Sequence, residues 1–279
     1  MKMKKISFLI ISLFLFTFVI TSNSLASSPV QSDYPEAGAV ILNSKTEVDY
    51  TQVPYKIKVT EKIKLFNQRG IDQFGEVKIR FNQKSEEVKI IKAESIKPNG
   101  KVVKAKEDAV HEITPPALSN ANIYSNTKMK VINMPALEAG TTIKYTYLKK
   151  IKEPTMKNEF WFSTYFQSTE PVKNAEFKVS IPGDKTLNYK TKPQGLEPEI
   201  KGGEIKKYIW SRKNIKGLKK EPSMPSLNNM LDYVRISSLE NWQEVSKWYK
   251  SLINDQYELN QKIKNKVREL TAGKETEKE

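Results

Sequence analysis

Apolar side chains recur at every second position along much of the chain between residues 39 and 237. The clearest run covers residues 55–65, where the alternation is broken once, by Glu61. The same spacing returns over Val77–Phe81. Because successive side chains of a strand point to opposite faces of a sheet, this pattern predicts half-buried β-strands. About ten such strands, separated by turn residues, predict a mainly β chain folded as an antiparallel β-sandwich.

Glycine and proline mark the connections between these strands. Residues 98–100 (Pro-Asn-Gly) predict a tight turn, because proline presets its φ and glycine accepts a positive one. Residues 67–75 (NQRGIDQFG) contain two glycines between two alternating runs, which predicts the connection of a hairpin. Residues 105–127 are polar and aperiodic, and we expect a surface loop there.

The alternation gives way to helical spacing near Ser237. Two N-terminal signals are present, Ser237 with Glu240 three residues later and Asn241 with Glu244. The apolar positions that follow at helical spacing are Trp242, Val245, Trp248, Tyr249, Leu252 and Ile253. A second stripe at this spacing consists of Leu259, Ile263, Val267 and Leu270. These stripes predict two amphipathic helices.

The change of pattern divides the chain after the first 26 residues. We expect a β-sandwich domain over residues 27–236 and a helical segment over residues 237–279. Trp242, Trp248 and Tyr249 present too much apolar area to remain in water. We therefore interpret these three residues as a seam between the sandwich and the helical segment.

The first 26 residues have the pattern of a secretory signal peptide. Three lysines precede an almost unbroken apolar run over residues 6–20, and a short segment of small and polar residues ends at Ala26. The alternative is an uncleaved membrane anchor, but the run is shorter than the ~20 residues that a span needs. We expect cleavage after Ala26 and an exported protein, periplasmic or extracellular. Membrane contact is then limited to this segment during export.

The chain has no cysteine and one histidine, His111. This composition excludes a cysteine nucleophile, a disulfide and a thiolate metal site. A histidine-based triad could be built only through His111, in a polar segment without a nucleophile motif, where a surface histidine is the simpler interpretation. The sequence implies no metal and no cofactor.

The formal net charge is +15, from 47 lysines and arginines against 32 acidic residues, and only five of the cations are arginine. A lysine excess favours a solvated surface or attraction to an anionic polymer over specific reading of nucleic acid. Residues 206–220 concentrate this charge around aromatic residues. The candidate binding residues are Lys206, Lys207, Tyr208, Arg212, Lys213, Lys216, Lys219 and Lys220. The alternative is a solvated loop of a lysine-rich protein.

Two further patterns have both a functional and a structural interpretation. Glu47 and Asp49 share a strand face, as catalytic carboxylates of glycosidases do, but charged residues also protect exposed edge strands. Residues 160–166 (FWFSTYF) could stack on a sugar or a base. In a sandwich, Phe160 and Phe162 face one way and Trp161 the other, so at least one set is core. Trp161 is the residue that we expect at a surface.

Several motifs, taken together, follow the order of a known family. They are Pro98-Asn99-Gly100-Lys101, Met134-Pro135-Ala136-Leu137 with Gly140, Tyr145 and Tyr147, Phe160–Phe166 with Pro171-Val172, Tyr208-Ile209-Trp210, Glu221-Pro222 with Pro225, and Ser237-Ser238 with Trp242, Trp248 and Tyr249. From about residue 34 to residue 272 the chain resembles the N-terminal region of bacterial exported transglutaminase-like proteins, the DUF3857 family. The resemblance implies a β-sandwich followed by the start of a papain-like domain.

In the family, that second domain supplies a catalytic Cys, His and Asp, and none of these has a counterpart here. The resemblance therefore implies a chain truncated before the catalytic domain, without catalytic residues of its own. We expect a non-catalytic accessory module that positions substrate, with a downstream transglutaminase-like domain or another protein as partner. The alternative is a stand-alone exported module that binds an anionic envelope polymer through its lysine-rich surface.

Overall fold

A computed structural model describes residues 29–119, 125–257, 259–274 and 276, so the predicted signal peptide lies outside the described residues. Strands dominate this part of the chain. They are β1 (Ala39–Asp49), β2 (Tyr55–Leu65), β3 (Glu76–Asn82), β4 (Glu86–Ile96), β5 (Val102–Lys104), β6 (Val110–Ile113), β7 (Thr127–Asn133), β8 (Thr142–Ile151), β9 (Trp161–Tyr165), β10 (Val172–Pro182), β11 (Asn188–Lys192), β12 (Glu199–Lys201), β13 (Ile205–Ile215) and β14 (Tyr233–Ser237). The α-helices are α1 (Gln68–Phe74), α2 (Pro116–Ser119), α3 (Leu227–Met230), α4 (Trp242–Ile253) and α5 (Gln261–Thr271).

The strands form one large sheet and two small ones. The large sheet has eight strands in the order β12-β13-β10-β1-β2-β8-β4-β5, and the small sheets have the orders β11-β14-β9 and β3-β7-β6. Neighbouring strands are antiparallel except β1 and β10, which run parallel, with Ser44 beside Ala175. The mainly β prediction is confirmed, with this parallel pair as an addition to the expected antiparallel pattern.

Both small sheets contribute to one core on a single face of the large sheet. Phe177 of β10 is fully buried and stacks between Phe162 of β9, at a ring-centroid distance of 5.7 Å, and Trp210 of β13, at 5.6 Å. Ile79 of β3 and Ile132 of β7 belong to the same buried cluster. The arrangement is therefore sandwich-like, with the large sheet as one layer and the two small sheets as the other.

The turn predicted at residues 98–100 is confirmed. It joins β4 to β5, and Gly100 has a φ of 83°. The Gly100 amide donates to the Lys97 carbonyl at 2.9 Å, and the Lys101 amide donates to the Asn99 side chain at 3.0 Å. Local chemistry alone specifies this turn, which is why the sequence reveals it.

The prediction that residues 67–75 form the connection of a hairpin is wrong. This segment is helix α1, capped by the Asn67 side chain, which accepts from the Gly70 amide. The flanking strands β2 and β3 belong to different sheets. Gly70 permits close contact instead of a turn, because a Cβ at this position would lie 2.0 Å from the Gly38 carbonyl oxygen.

The expected surface loop over residues 105–127 is partly regular structure. It contains β6, which pairs with β7 and carries His111 opposite Val131. This strand is exposed along most of its length, so it lacks the apolar alternation that reveals a half-buried strand. His111 itself is exposed.

Helix α4 begins at the second of the two N-terminal signals, since the Asn241 side chain accepts from the Glu244 amide at 3.1 Å. Trp242 is 83% exposed and Tyr249 is 58% exposed, while Trp248 is half-buried. Within the described residues the helices therefore do not close the expected seam over Trp242 and Tyr249, and the seam stays a prediction. Of the helices described, none is long and apolar enough to cross a membrane.

Candidate functional site

The fold divides the lysine-rich segment 206–220 instead of displaying it as one surface. Tyr208 is buried with its ring stacked beside Trp210, so it cannot stack on a ligand. Lys206 donates to the Lys185 carbonyl and Arg212 pairs with Asp232, both on the core side of β13. The opposite side of β13 carries Lys207 and Lys213, because side chains alternate along a strand. Lys216, Lys219 and Lys220 follow on the loop beyond β13.

Lys219 and Lys220 border a cleft of about 730 Å³ between this loop and helix α1. The most buried polar residue of its lining is Glu170, which is 4% exposed. The Glu170 carboxylate accepts from the Gly38 amide at 3.0 Å and lies 3.6 Å from the Arg69 guanidinium. Its charge and hydrogen bonds are therefore satisfied, and the geometry indicates a structural junction.

The other sequence candidates have structural partners. Glu47 lies 3.3 Å from the ammonium of Lys45, and two further lysines lie within 4 Å of it. Asp49 accepts from the Thr51 amide and hydroxyl. These contacts favour the structural interpretation of the Glu47–Asp49 pair. Phe160, just before β9, is buried, and Trp161, the first residue of β9, is 46% exposed, as the alternation predicts.

The carboxyl group of Glu61 faces the core side of the large sheet. Glu61 lies on β2, directly opposite Tyr145 of β8, and the next inward pair is Val59 with Tyr147. The Ser44 hydroxyl of β1 donates to Glu61 Oε1 at 2.7 Å. Three neighbouring strands thus place a carboxyl, a hydroxyl and two phenols together.

Burial determines the protonation of this group. Removal of the Glu61 carboxyl from water raises its pKa to about 7, against the smaller opposing effect of the Ser44 hydrogen bond. Burial also raises the pKa of Tyr145 well above its usual value and that of Tyr147 to about 12, and the nearby charge of Glu61 adds to both. At neutral pH, Glu61 is close to half ionised, and both tyrosines are neutral.

Glu61 is also where two cavities meet. One of about 190 Å³ extends toward Tyr165 and Gln167, and the other of about 240 Å³ extends toward Val77 and Ile79. Both cavities are lined by Glu61, Phe74 and Tyr145. Because they share these lining residues, we call the two adjacent spaces together the Glu61 groove. It lies between the large sheet and the two small sheets.

The groove combines an ionisable carboxylate with aromatic rings in a partly water-excluded site. Such a combination suits a ligand that carries a positive charge, since the carboxylate supplies an ion pair and a tyrosine face attracts a cation. Perturbed carboxyl groups in cavities are typical of functional sites.

The sequence carries one signal for this site. Glu61 is the charged residue that interrupts the apolar face of residues 55–65. Within a strand whose alternate residues are buried, a carboxyl must face the core, where it needs partners. Its partners, Ser44 and Tyr145, come from strands whose pairing with β2 the sequence does not show.

The family described as "Domain of Unknown Function with solved-structure structure (DUF3857)" matches residues 54–219 of the chain, more than half of its length. No curated protein matches the sequence.

A solved structure with a TM-score above 0.5 resembles the chain in fold. A crystal structure of a protein provisionally described as a protease, from Parabacteroides distasonis ATCC 8503, aligns with a TM-score of 0.66 and 19% identity, over 84% of this chain and 50% of that one. The chain thus spans half the length of that protein. Aminopeptidase A of Legionella pneumophila, in complex with aspartic acid, aligns with a TM-score of 0.36 and 13% identity, over 75% of this chain and 22% of that one. Yeast LTA4 hydrolase, in complex with bestatin, aligns with a TM-score of 0.32 and 11% identity, over 76% of this chain and 31% of that one.

Proposed function

Because the chain belongs to the DUF3857 family, we propose that it is a non-catalytic β-sandwich module that positions substrate for an exported transglutaminase-like protein. The observation that carries this proposal is the Glu61 groove, where a carboxyl with a pKa of about 7 lies between two cavities. The fold likeness to a longer protein described as a protease supports a role beside a catalytic unit.

The groove defines the class of substrate. A protonated amine of a peptide, either a lysine side chain or an N-terminus, can donate to Glu61 and lie against Tyr145. The cavities are too small for a folded domain, so the bound group is a side chain or chain terminus of an extended segment. Positioning this segment presents the rest of the peptide to the catalytic unit.

The proposal assigns the chemistry to the partner. This chain has no cysteine, and its one histidine, His111, lies exposed on β6, opposite Val131 of β7. His111 does not line the Glu61 groove. The partner is a transglutaminase-like catalytic unit, and the exposed apolar stripe of α4, with Trp242 and Tyr249, is the surface that meets it.

Binding of a protonated amine is tested with a blocked tripeptide, N-acetyl-Gly-Lys-Gly-amide. The peptide is titrated into the chain at pH 8, and binding is followed by two-dimensional NMR. We expect shifts at the groove residues and binding about tenfold weaker for the same peptide with an acetylated lysine, since a charge-assisted hydrogen bond is lost. Glu61→Gln should weaken the binding of the lysine peptide similarly. Glu204→Gln, at an exposed loop position, is the matched control and should leave binding unchanged. Equal binding of the acetylated peptide would refute the proposal.

We also propose that the module acts outside the cytoplasm, on the pattern of residues 1–26. The protein recovered after expression in a bacterial host should begin at Ser27, which N-terminal sequencing of the exported fraction determines. A protein that retains Met1 and stays in the membrane fraction would support the anchor interpretation instead.

A further inference from the structure

The side of the large sheet that faces away from the core carries an unusual concentration of lysine. On β2 the inward positions include the buried Tyr55, Ile57, Ile63 and Leu65. The alternate, outward positions are Lys56, Lys58, Thr60, Lys62 and Lys64. Four of five successive outward side chains on a central strand are therefore cations.

The neighbouring strands extend this pattern. We define the lysine face as the outward lysines of the large sheet around β2, namely Lys45, Lys56, Lys58, Lys62, Lys64, Lys89, Lys92, Lys144, Lys150, Lys178, Lys207 and Lys213. Neither small sheet covers it, because both pack on the other side.

Two pairs of lysines lie directly opposite each other on this face. The antiparallel register of β2 and β8 places Lys62 beside Lys144 and Lys56 beside Lys150. Like charges in directly opposite positions destabilise a sheet. Within the described part of the chain, no carboxylate lies within 4 Å of the ammonium groups of these four lysines. Glu94, which flanks Lys144 on β4, pairs with Lys92 instead, at 2.8 Å.

Elsewhere on the lysine face, carboxylates neutralise only part of the positive charge. Glu47 lies within 4 Å of three lysines, Lys45, Lys58 and Lys178. Glu176 also pairs with Lys45, at 3.1 Å. Two carboxylates thus serve these three cations, so this area also keeps a positive excess. An extended anion is the complement of such a surface.

The spacing of the lysines fits a linear polymer. Outward side chains repeat about every 6.6 Å along a strand, and neighbouring strands lie about 4.8 Å apart. A chain of phosphate groups that follows β2 and β8 therefore meets Lys56, Lys62, Lys144 and Lys150 in turn. Lysine binds phosphate as a point charge, without the fixed geometry that arginine imposes.

The same positions disfavour the other macromolecules that basic surfaces bind. A membrane-binding surface combines cations with large apolar side chains, whereas the outward positions of β2 and β8 hold only one such residue, Leu148. Recognition of single-stranded nucleic acid uses exposed aromatic rings, and Tyr208 and Trp210 are on the core side of the sheet.

We propose that the lysine face binds a linear phosphate-rich polymer. This surface is on the opposite side of the large sheet from the Glu61 groove, so the module can hold the polymer and a peptide at the same time. The proposal does not depend on the function of the groove.

The test uses inorganic polyphosphate labelled with a fluorophore, titrated with the whole chain over a series of salt concentrations and followed by anisotropy. With four central lysines engaged, log Kd should change with log salt with a slope of about 3. The double variant Lys62→Gln/Lys144→Gln should weaken binding at least ~10-fold at low salt and reduce the slope by about 1.4. Its thermal unfolding, measured in parallel, establishes that the variant is folded.

The matched control is Lys219→Gln/Lys220→Gln, which removes the same charge from the loop beyond β13. It should bind polyphosphate as the unmodified chain does. An equal loss in both double variants would show attraction by net charge alone and overturn the proposal. A larger loss in the control would place the site on segment 206–220. Binding to phosphatidylglycerol vesicles without binding to polyphosphate would overturn the proposal in favour of a membrane surface.

Discussion

At the scale of single residues, Glu61 connects the stability of the protein to its proposed role. Its pKa is about 7 in the folded protein, against 4.5 for an ordinary glutamate. Between these values the folded state holds a proton that the unfolded state has released. The free energy of unfolding therefore falls as the pH rises from about 4.5 to 7. A bound ammonium group offsets this cost by stabilising the ionised carboxylate.

Glu61→Gln removes the titration while keeping the shape of the side chain. We expect the variant to gain stability relative to the unmodified chain between pH 5 and pH 8, by roughly 2–3 kcal/mol at the upper end. Urea unfolding at a series of pH values measures the difference. Glu204→Gln should give a profile parallel to that of the unmodified chain. Parallel profiles for Glu61→Gln as well would show that Glu61 has an ordinary pKa.

At the scale of elements, helix α1 is held against the start of β1 by contact between two glycines. A Cβ on Gly70 would lie 2.0 Å from the Gly38 carbonyl oxygen and 2.7 Å from the carbonyl carbon. Backbone atoms cannot yield as a flexible side chain can. The close approach therefore requires glycine at position 70.

Gly70→Ala should destabilise the chain by about 1–3 kcal/mol or more, because α1 must move away from β1. Gly202→Ala is the control, since no heavy atom lies within 4 Å of its added Cβ. Thermal unfolding of both variants makes the comparison. Equal melting temperatures for the two would contradict the contact between α1 and Gly38.

The cross-strand pair of Lys62 and Lys144 gives a second prediction for elements. Lys62→Gln removes the repulsion across β2 and β8, so we expect the free energy of unfolding to rise by ~0.2–1 kcal/mol at low salt. The gain should vanish in high salt, which screens exposed charges. Lys84→Gln, in an exposed turn, should show no such gain. A destabilised Lys62→Gln would indicate that Lys62 makes a favourable contact in the sheet.

Sequence reasoning succeeds for elements specified by neighbouring residues. The turn at Gly100 and the alternation of residues 55–65 depend on side chains close together in the chain, and the structure has both. Local pattern does not reveal helix α1, because the reason for Gly70 lies at Gly38, 32 positions earlier. Local pattern does not reveal β6 either, because an exposed edge strand needs no apolar face.

At the scale of the whole molecule, strand pairing determines which residues come together to form a site. Local sequence patterns do not show which strands pair. The parallel pairing of β1 with β10 joins Ser44 to Ala175, and β2 and β3 separate into different sheets. Pairing brings Ser44, Glu61 and Tyr145 together on one side of the large sheet and the lysine face together on the other. It also divides segment 206–220, which appeared continuous.

The most direct test of the groove is the ionisation of Glu61 itself, followed through its side-chain ¹³C carboxyl resonance during a pH titration. The titration is run on the free chain and again with N-acetyl-Gly-Lys-Gly-amide present. We predict an apparent pKa near 7 in the free chain, and a lower one when the peptide ammonium stabilises the carboxylate. A pKa near 4.5 in the free chain, or a value near 7 that the peptide leaves unchanged, would contradict the account.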